Sequence, residues 1–167
     1  RFIKVSAATA MAAAMVSLTG CVPADTTPAA PSAPPFGKVQ TIANGIEVNF
    51  KETELYRGQY LAFIDVTIPN DYLKAGDSII FTKSNFSVKL DGKDVAAEQF
   101  RVKVGPAPNW SDIEYMNCRV YNGTKNFWVQ VTGDAGASKL QVSYTFKYGE
   151  IEETATAEGD VSTKTAQ

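Results

Sequence analysis

The apolar residues of this chain change their spacing twice. Between Val5 and Leu18 they run almost unbroken, from Val22 to Pro35 they nearly vanish, and from about Phe36 onward they recur at every second position. Period two is the spacing of a strand with one dry face and one wet face. It is clearest in QYLAFIDVTI, residues 59–68, where Tyr60, Ala62, Ile64, Val66 and Ile68 share a face. Leu61 and Phe63 occupy the other face before it turns polar at Asp65 and Thr67. A later alternation sets Leu140, Val142, Tyr144, Phe146 and Tyr148 against Lys139, Gln141, Ser143, Thr145 and Lys147. Shorter versions link Ile46 to Phe50, Phe86 to Leu90, Phe100 to Val104 and Phe127 to Val131.

Turn chemistry falls between these runs, at Asn44-Gly45, Asp91-Gly92, Asn122-Gly123 and the GDAG of 133–136. Such pairs reach left-handed backbone cheaply and favour tight hairpins. Seven or eight short strands with this punctuation predict an all-β fold, an antiparallel immunoglobulin-like sandwich over residues 36–158. Ile151 to Ala157 reads as a last strand whose inner face carries Glu153, a charge that would discourage edge pairing. Residues 159–167 read as a disordered tail. Helix is expected only as a single turn at Ser111-Asp112-Ile113-Glu114, which has capping-box spacing.

The N-terminal run has a different logic. Arg1 and Lys4 lead into Val5–Leu18, and small residues follow, which are the three zones of a secretory signal over residues 1–20. A spanning helix needs about 20 apolar residues, so this run is too short to remain as an anchor. A signal starts at Met, and the reading therefore expects a residue or two ahead of Arg1. The stretch Leu18-Thr19-Gly20-Cys21 resembles the lipobox of bacterial lipoproteins, a Leu and two small residues before a Cys. The resemblance implies cleavage between Gly20 and Cys21 and a diacylglycerol on the Cys21 sulfur. A thiolate is the nucleophile that can take such a lipid, and several acyl chains at ~0.8 kcal/mol per buried methylene hold a protein durably. It also implies a location: the bacterial cell envelope, lipid-anchored. Val22 is not the Asp that signals inner-membrane retention in enteric relatives, so the outer membrane is preferred where there are two. A lipidated Cys21 cannot pair with Cys118, which is left as a small buried hydrophobe or a reactive thiol.

Val22 to Pro35 holds five of the eight prolines and completes a tether over residues 21–35. Extended at ~3.1 Å per residue, it would carry the domain roughly 40 Å from the lipid.

Composition narrows the chemistry. There is no histidine, the formal charge is −2, and loss of Arg1 and Lys4 with the signal makes the remainder more acidic. A phosphate-neutralising basic stripe is missing, so nucleic acid is not an expected partner. Without histidine Cys118 has no imidazole base, and no GxSxG, SxxK, HExxH or CxxC occurs. No enzymatic activity, catalytic residue, metal or cofactor is expected. Asp71 and Asp77 bracket the loop NDYLKAGD without calcium-loop spacing and read as an ordinary turn.

The loop GPAPNWSDIEYMN, 105–117, places Trp110, Tyr115 and Met116 among polar residues. Long loops at the end of a sandwich bind partners, and Trp and Tyr are enriched at hot spots. Trp110 therefore either meets a partner or folds back to cap the core. Trp128 lies on the face opposite Phe127 and Val129, so it is either an exposed binding aromatic or covered by a loop or another strand.

The strand ending in Val66, Ile68 and Asn70, followed by Asn85-Phe86 and the turn Asp91-Gly92, is similar to the immunoglobulin-like domain of unknown function found in many bacterial lipoproteins. The likeness covers about 35 residues and brings no catalytic residues. It implies a fold and an envelope location, and some relatives in that family are prophage proteins that exclude a second phage. The functional expectation is a non-enzymatic protein-binding module, with a membrane contact through lipid and an envelope or extracellular protein as partner. Adhesion, envelope assembly or phage exclusion would be its use. The alternatives are a periplasmic carrier of a small ligand or ion, with a pocket between the sheets lined by Tyr60, Phe63 and Tyr144, and an inhibitor of a secreted hydrolase.

Overall fold

Period-two patterning becomes twelve strands in the computed structural model, which describes residues 32–114, 118–132 and 136–161, with the backbone alone at 118 and 119. Of the chain's two units, Arg1–Ala30 and Pro31–Gln167, the first lies outside the described residues. So do the signal, Cys21, Tyr115, Met116 and the side chain of Cys118. The first strands are β1 (Lys38–Ile42), β2 (Ile46–Tyr56), β3 (Gln59–Ile68), β4 (Ile79–Phe81), β5 (Phe86–Leu90) and β6 (Lys93–Asp94). Then come β7 (Phe100–Val104), β8 (Ser111–Asp112), β9 (Cys118–Val120), β10 (Gly123–Thr132), β11 (Lys139–Tyr148) and β12 (Ile151–Asp160). Eight of these have five residues or more, against the seven or eight expected, and β1 is one that the alternation did not mark.

One sheet has the order β1-β2-β3-β10-β7-β8, a second β12-β11-β5-β6, and β4-β9 forms a separate ribbon. All strand pairings are antiparallel. If β2, β3, β5, β7, β10, β11 and β12 are lettered A to G, the two sheets are ABED and GFC, the constant-type immunoglobulin arrangement. The inner faces supply the core. Ile46, Val48 and Phe50, then Tyr60 to Ile68 at alternate positions, then Phe127, Val129 and Val131 are buried from the first sheet. From the second come Phe86, Val88, Leu140, Val142, Tyr144, Phe146, Ala155 and Ala157. Burying each large side chain contributes about 1.5–3 kcal/mol.

An aromatic cluster ties the layers together. Phe81 of the ribbon lies 5.0 Å from Phe127 and 5.7 Å from Tyr144, and Phe86 lies 5.2 Å from each of the same two rings. The hydroxyl of Tyr144 is buried there with no hydrogen-bond partner among the described residues. Tyr60, equally buried, accepts the Ala137 N–H at 3.0 Å and donates to the Ala137 carbonyl at 3.3 Å.

Several expected boundaries move. Pro34 and Pro35 belong to the domain: Glu158 N–H donates to the Pro34 carbonyl at 2.9 Å, and Pro35 bridges Glu158 in parallel. This strap covers the β12 edge that Glu153 was expected to guard. Glu153 is exposed and its carboxylate accepts the Ala43 N–H at 2.7 Å, fixing the β1–β2 turn, where Ala43 and Asn44 have φ of 47° and 61°. Gln40 seals the same edge, exchanging hydrogen bonds with the Thr156 backbone at 2.7 and 3.2 Å. Gly159 and Asp160 are strand, not tail, because Lys139 and Leu140 of β11 extend far enough to pair with them. Ser111 and Asp112 form β8 beside β7 instead of starting a helical turn, and Asp112 Oδ1 accepts the Glu114 N–H at 3.0 Å. Asp91-Gly92 is a hairpin turn as expected, with φ of 47° and 78°. Asn122-Gly123 is not, since β9 and β10 pair with different strands. Arg57-Gly58, with φ of 50° and 75°, closes the β2–β3 hairpin.

Candidate functional site

Outer faces of sandwich sheets are ordinarily polar, and this one is not where β3 meets β10. Strand register places Glu52, Phe63, Trp128, Lys103 and Asp112 opposite one another across β2, β3, β10, β7 and β8. Side chains directly opposite on one face touch. Phe63 and Trp128 accordingly stack with ring centres 5.9 Å apart and planes 21° apart, and the Lys103 ammonium sits 5.0 Å over the Trp128 ring.

The loop after β7 adds a third ring. Gly105 lets Trp110 turn back, since a Cβ on Gly105 would stand 2.8 Å from a Trp110 ring carbon. Trp110 then meets Trp128 edge-on at 5.7 Å and 76°, a geometry favoured by the ring quadrupoles. Both tryptophans are half-buried, and the Trp128 indole nitrogen is shielded with no partner among the described residues. Trp110 thus does fold back, onto the outside of the sheet and not over the core. Trp128 is covered by that loop ring, by Phe63 and by Lys103.

A bulge supplies the polar half of the site. Register slips between Phe50 and Glu52, so Lys51 and Glu52 are both exposed where alternation would turn one inward. Lys51 Nζ reaches Asp65 Oδ2 at 2.7 Å, and Asn126 Nδ2 donates to Asp65 Oδ1 at 2.6 Å. Between these groups and the rings lies an open groove of about 350 Å³ lined by Lys51, Glu52, Phe63, Asp65, Trp110 and Asn126. Of the four aromatic or Met positions that the sequence nominates, Trp110 and Trp128 come together and Tyr115 and Met116 fall outside the described residues. The residues not foreseen in this role, Phe63, Asp65, Lys51, Lys103 and Asn126, all follow from register. Phe63 and Trp128 had already stood out as rings on wet-face positions of two strands.

Among the described residues Tyr60, Phe63 and Tyr144 do not line a common pocket. Tyr60 and Tyr144 are fully buried in the packed core, whereas Phe63 points to the opposite side of its sheet. Among the described residues no three acidic or cysteine side chains gather as a metal site. Asp77 instead accepts the Tyr148 hydroxyl at 2.6 Å.

No protein-family profile and no curated sequence matches the chain. The solved structures that resemble it do so distantly, two of them as follows. A family 123 glycoside hydrolase from Clostridium perfringens, studied for glycolipid glycan hydrolysis, superposes over 66% of this chain at 9% identity and a TM-score of 0.38. The chain spans only 22% of that enzyme. The yeast GGA1 GAE domain matches over 75% of this chain and 99% of its own length, at 11% identity and a TM-score of 0.32. Neither superposition is close enough to transfer a function.

Proposed function

We propose that this chain is a non-enzymatic recognition module held at the bacterial envelope through lipid on Cys21, engaging an envelope or extracellular protein with the outer face of β3 and β10. The observation that carries the reading is Trp110, delivered by a loop onto Trp128, which itself stacks on Phe63, beside an open groove. Three aromatic rings, half-buried against one another on a face that no other sheet covers among the described residues, give a sandwich an unusual apolar flank to a groove. The absence of histidine and of the usual nucleophile motifs supports binding without catalysis. The Leu18-Thr19-Gly20-Cys21 motif supports the anchor.

Two measurements test the two halves. Intact mass of the native protein should exceed that of the polypeptide beginning at Cys21 by the acyl groups; an unmodified chain that keeps residues 1–20 refutes the anchor. Pull-down from envelope extracts should retain a partner with the wild-type chain and lose it with Trp110→Ala. An unchanged set of captured proteins refutes the groove as the combining site.

A further inference from the structure

Two properties of the groove restrict what can fill it. Strand addition is closed to a peptide, because β3 and β10 are paired on both sides, by β2 and β7 as well as to each other. The carboxylates of Glu52 and Asp65 stand against the ammoniums of Lys51 in the groove and Lys103 over Trp128, a balance that favours neither a strongly anionic nor a strongly cationic ligand. What remains is a ligand that is uncharged, rich in both donors and acceptors, and apolar on one face.

The polar groups suit such a ligand in detail. Asp65 is held by Lys51 and Asn126 in a fixed carboxylate–amide–ammonium arrangement at 2.6–2.7 Å. A carboxylate accepts from several donors, an ammonium has three protons to give, and an amide both donates and accepts. Adjacent hydroxyls on a ring need this mixture, one oxygen donating to a carboxylate while its neighbour accepts from an amide or ammonium. Phe63 and Trp110 meanwhile offer ring surface for the C–H face of the same ring. At about 350 Å³ the cavity is at the small end of ligand sites, which run from about 300 Å³.

We infer that the groove beneath Trp110 binds a pyranose unit of a neutral glycan, with Asp65, Asn126 and Lys51 reading adjacent hydroxyls and Phe63 and Trp110 holding the ring. The inference rests on the groove being the combining site and narrows the chemistry that touches it. The sugar belongs either to a free polysaccharide or to a glycan borne by the protein partner.

The chain has only two tryptophans, and both are in this cluster, so indole fluorescence reports the site without a label. The full chain is titrated with soluble oligosaccharides of glucose, mannose and N-acetylglucosamine, and with a proline-rich peptide as the competing class. A saturable emission change is expected with at least one sugar series. Affinity should weaken about tenfold in Asn126→Ala, one hydrogen bond being a modest contribution, and stay nearly unchanged in Glu52→Gln, which lines the groove but reads no hydroxyl. Glu52 is exposed, so the second variant keeps the fold, and an unchanged thermal midpoint in both variants separates lost contacts from lost structure. Competition of the winning sugar against the captured partner, before and after deglycosylation of that partner, tells the two sources apart. Saturation by the peptide alone, or no response to any sugar, overturns the inference. Loss of the partner in Trp110→Ala without any sugar effect would overturn it while leaving the binding module standing.

Discussion

Two tyrosines, equally buried, should respond to the same one-atom deletion with opposite signs. Tyr60 and Tyr144 are both fully enclosed, but only the Tyr60 hydroxyl has its bonds to Ala137. Tyr60→Phe leaves the Ala137 N–H and carbonyl short of a partner and is expected to cost about 1–2 kcal/mol. Tyr144→Phe removes a hydroxyl that was stripped of water with nothing in exchange, a burial that itself costs about 1–3 kcal/mol. The small void left behind takes back part of that gain. The net expectation is stabilisation by about 0.5–1 kcal/mol, or about 2–5 °C in midpoint for a domain of this size. Burial also pushes the Tyr144 phenol far above its ordinary value of 10.0. The folded state then keeps a proton that the unfolded chain releases near that value. The stability it represents is present below pH 10 and is lost as pH climbs beyond it, at about 1.4 kcal/mol per pH unit for one proton. Tyr144→Phe should remove one proton's worth of that slope. Urea unfolding of the full chain at pH 7 and at several alkaline pH values measures both effects. Equal destabilisation by the two substitutions at pH 7 would refute the reasoning, since it would mean that the Tyr144 hydroxyl is bonded.

Other expectations follow from close approaches and caps. Gly105→Ala puts a methyl group 2.8 Å from the Trp110 ring, so Trp110 should leave Trp128; near-ultraviolet circular dichroism should lose the coupled indole bands while the thermal midpoint shifts little. Gly159→Ala does the same to Phe36, whose ring also stands 2.8 Å away, and overpacking of this kind costs about 1–3 kcal/mol; limited proteolysis should then cut ahead of Lys38 faster than in the wild type. The backbone N–H of Lys139 and the Ser138 groups hold the Asp91 carboxyl below its ordinary value, so the support it gives is present above that value and is lost as pH falls through its lowered one. Asp91→Asn should therefore flatten the acid limb of a stability–pH curve, and an unchanged limb would show that the cap carries no such linkage.

The legible part of this fold was its alternation. The inward positions that the period assigned to the core are buried, apart from the partly buried strand ends Leu90 and Tyr148, because one residue of slip would turn a whole strand inside out and selection for a dry interior fixes the phase. Positions set by pairing partners were illegible. Nothing local says that Lys51 is a bulge residue, that Pro34 lies along β12, or that Phe63 and Trp128 face each other, since each depends on which distant strand is neighbour. The wet-face rings did signal that the outer surface was unusual. Their company of Asp65, Asn126 and Lys103 became visible only with register. Ser111–Glu114 misled for a related reason: helical capping spacing and an Asx turn use the same residue types, and the open edge of β7 decided between them.

The strap at Pro34–Phe36 has a mechanical consequence. Tension arriving along the chain from its N-terminal side enters the sandwich at the Pro34 and Pro35 contacts with Glu158, backed by the Phe36 ring, which packs 6.0 Å from Phe50 and against Gly159. The strap lies parallel to the terminal strand, so such a pull slides it along its neighbour instead of peeling it away bond by bond. The first strand to feel any load, Lys38–Ile42, is thus shielded by a clasp made of the two ends of the fold.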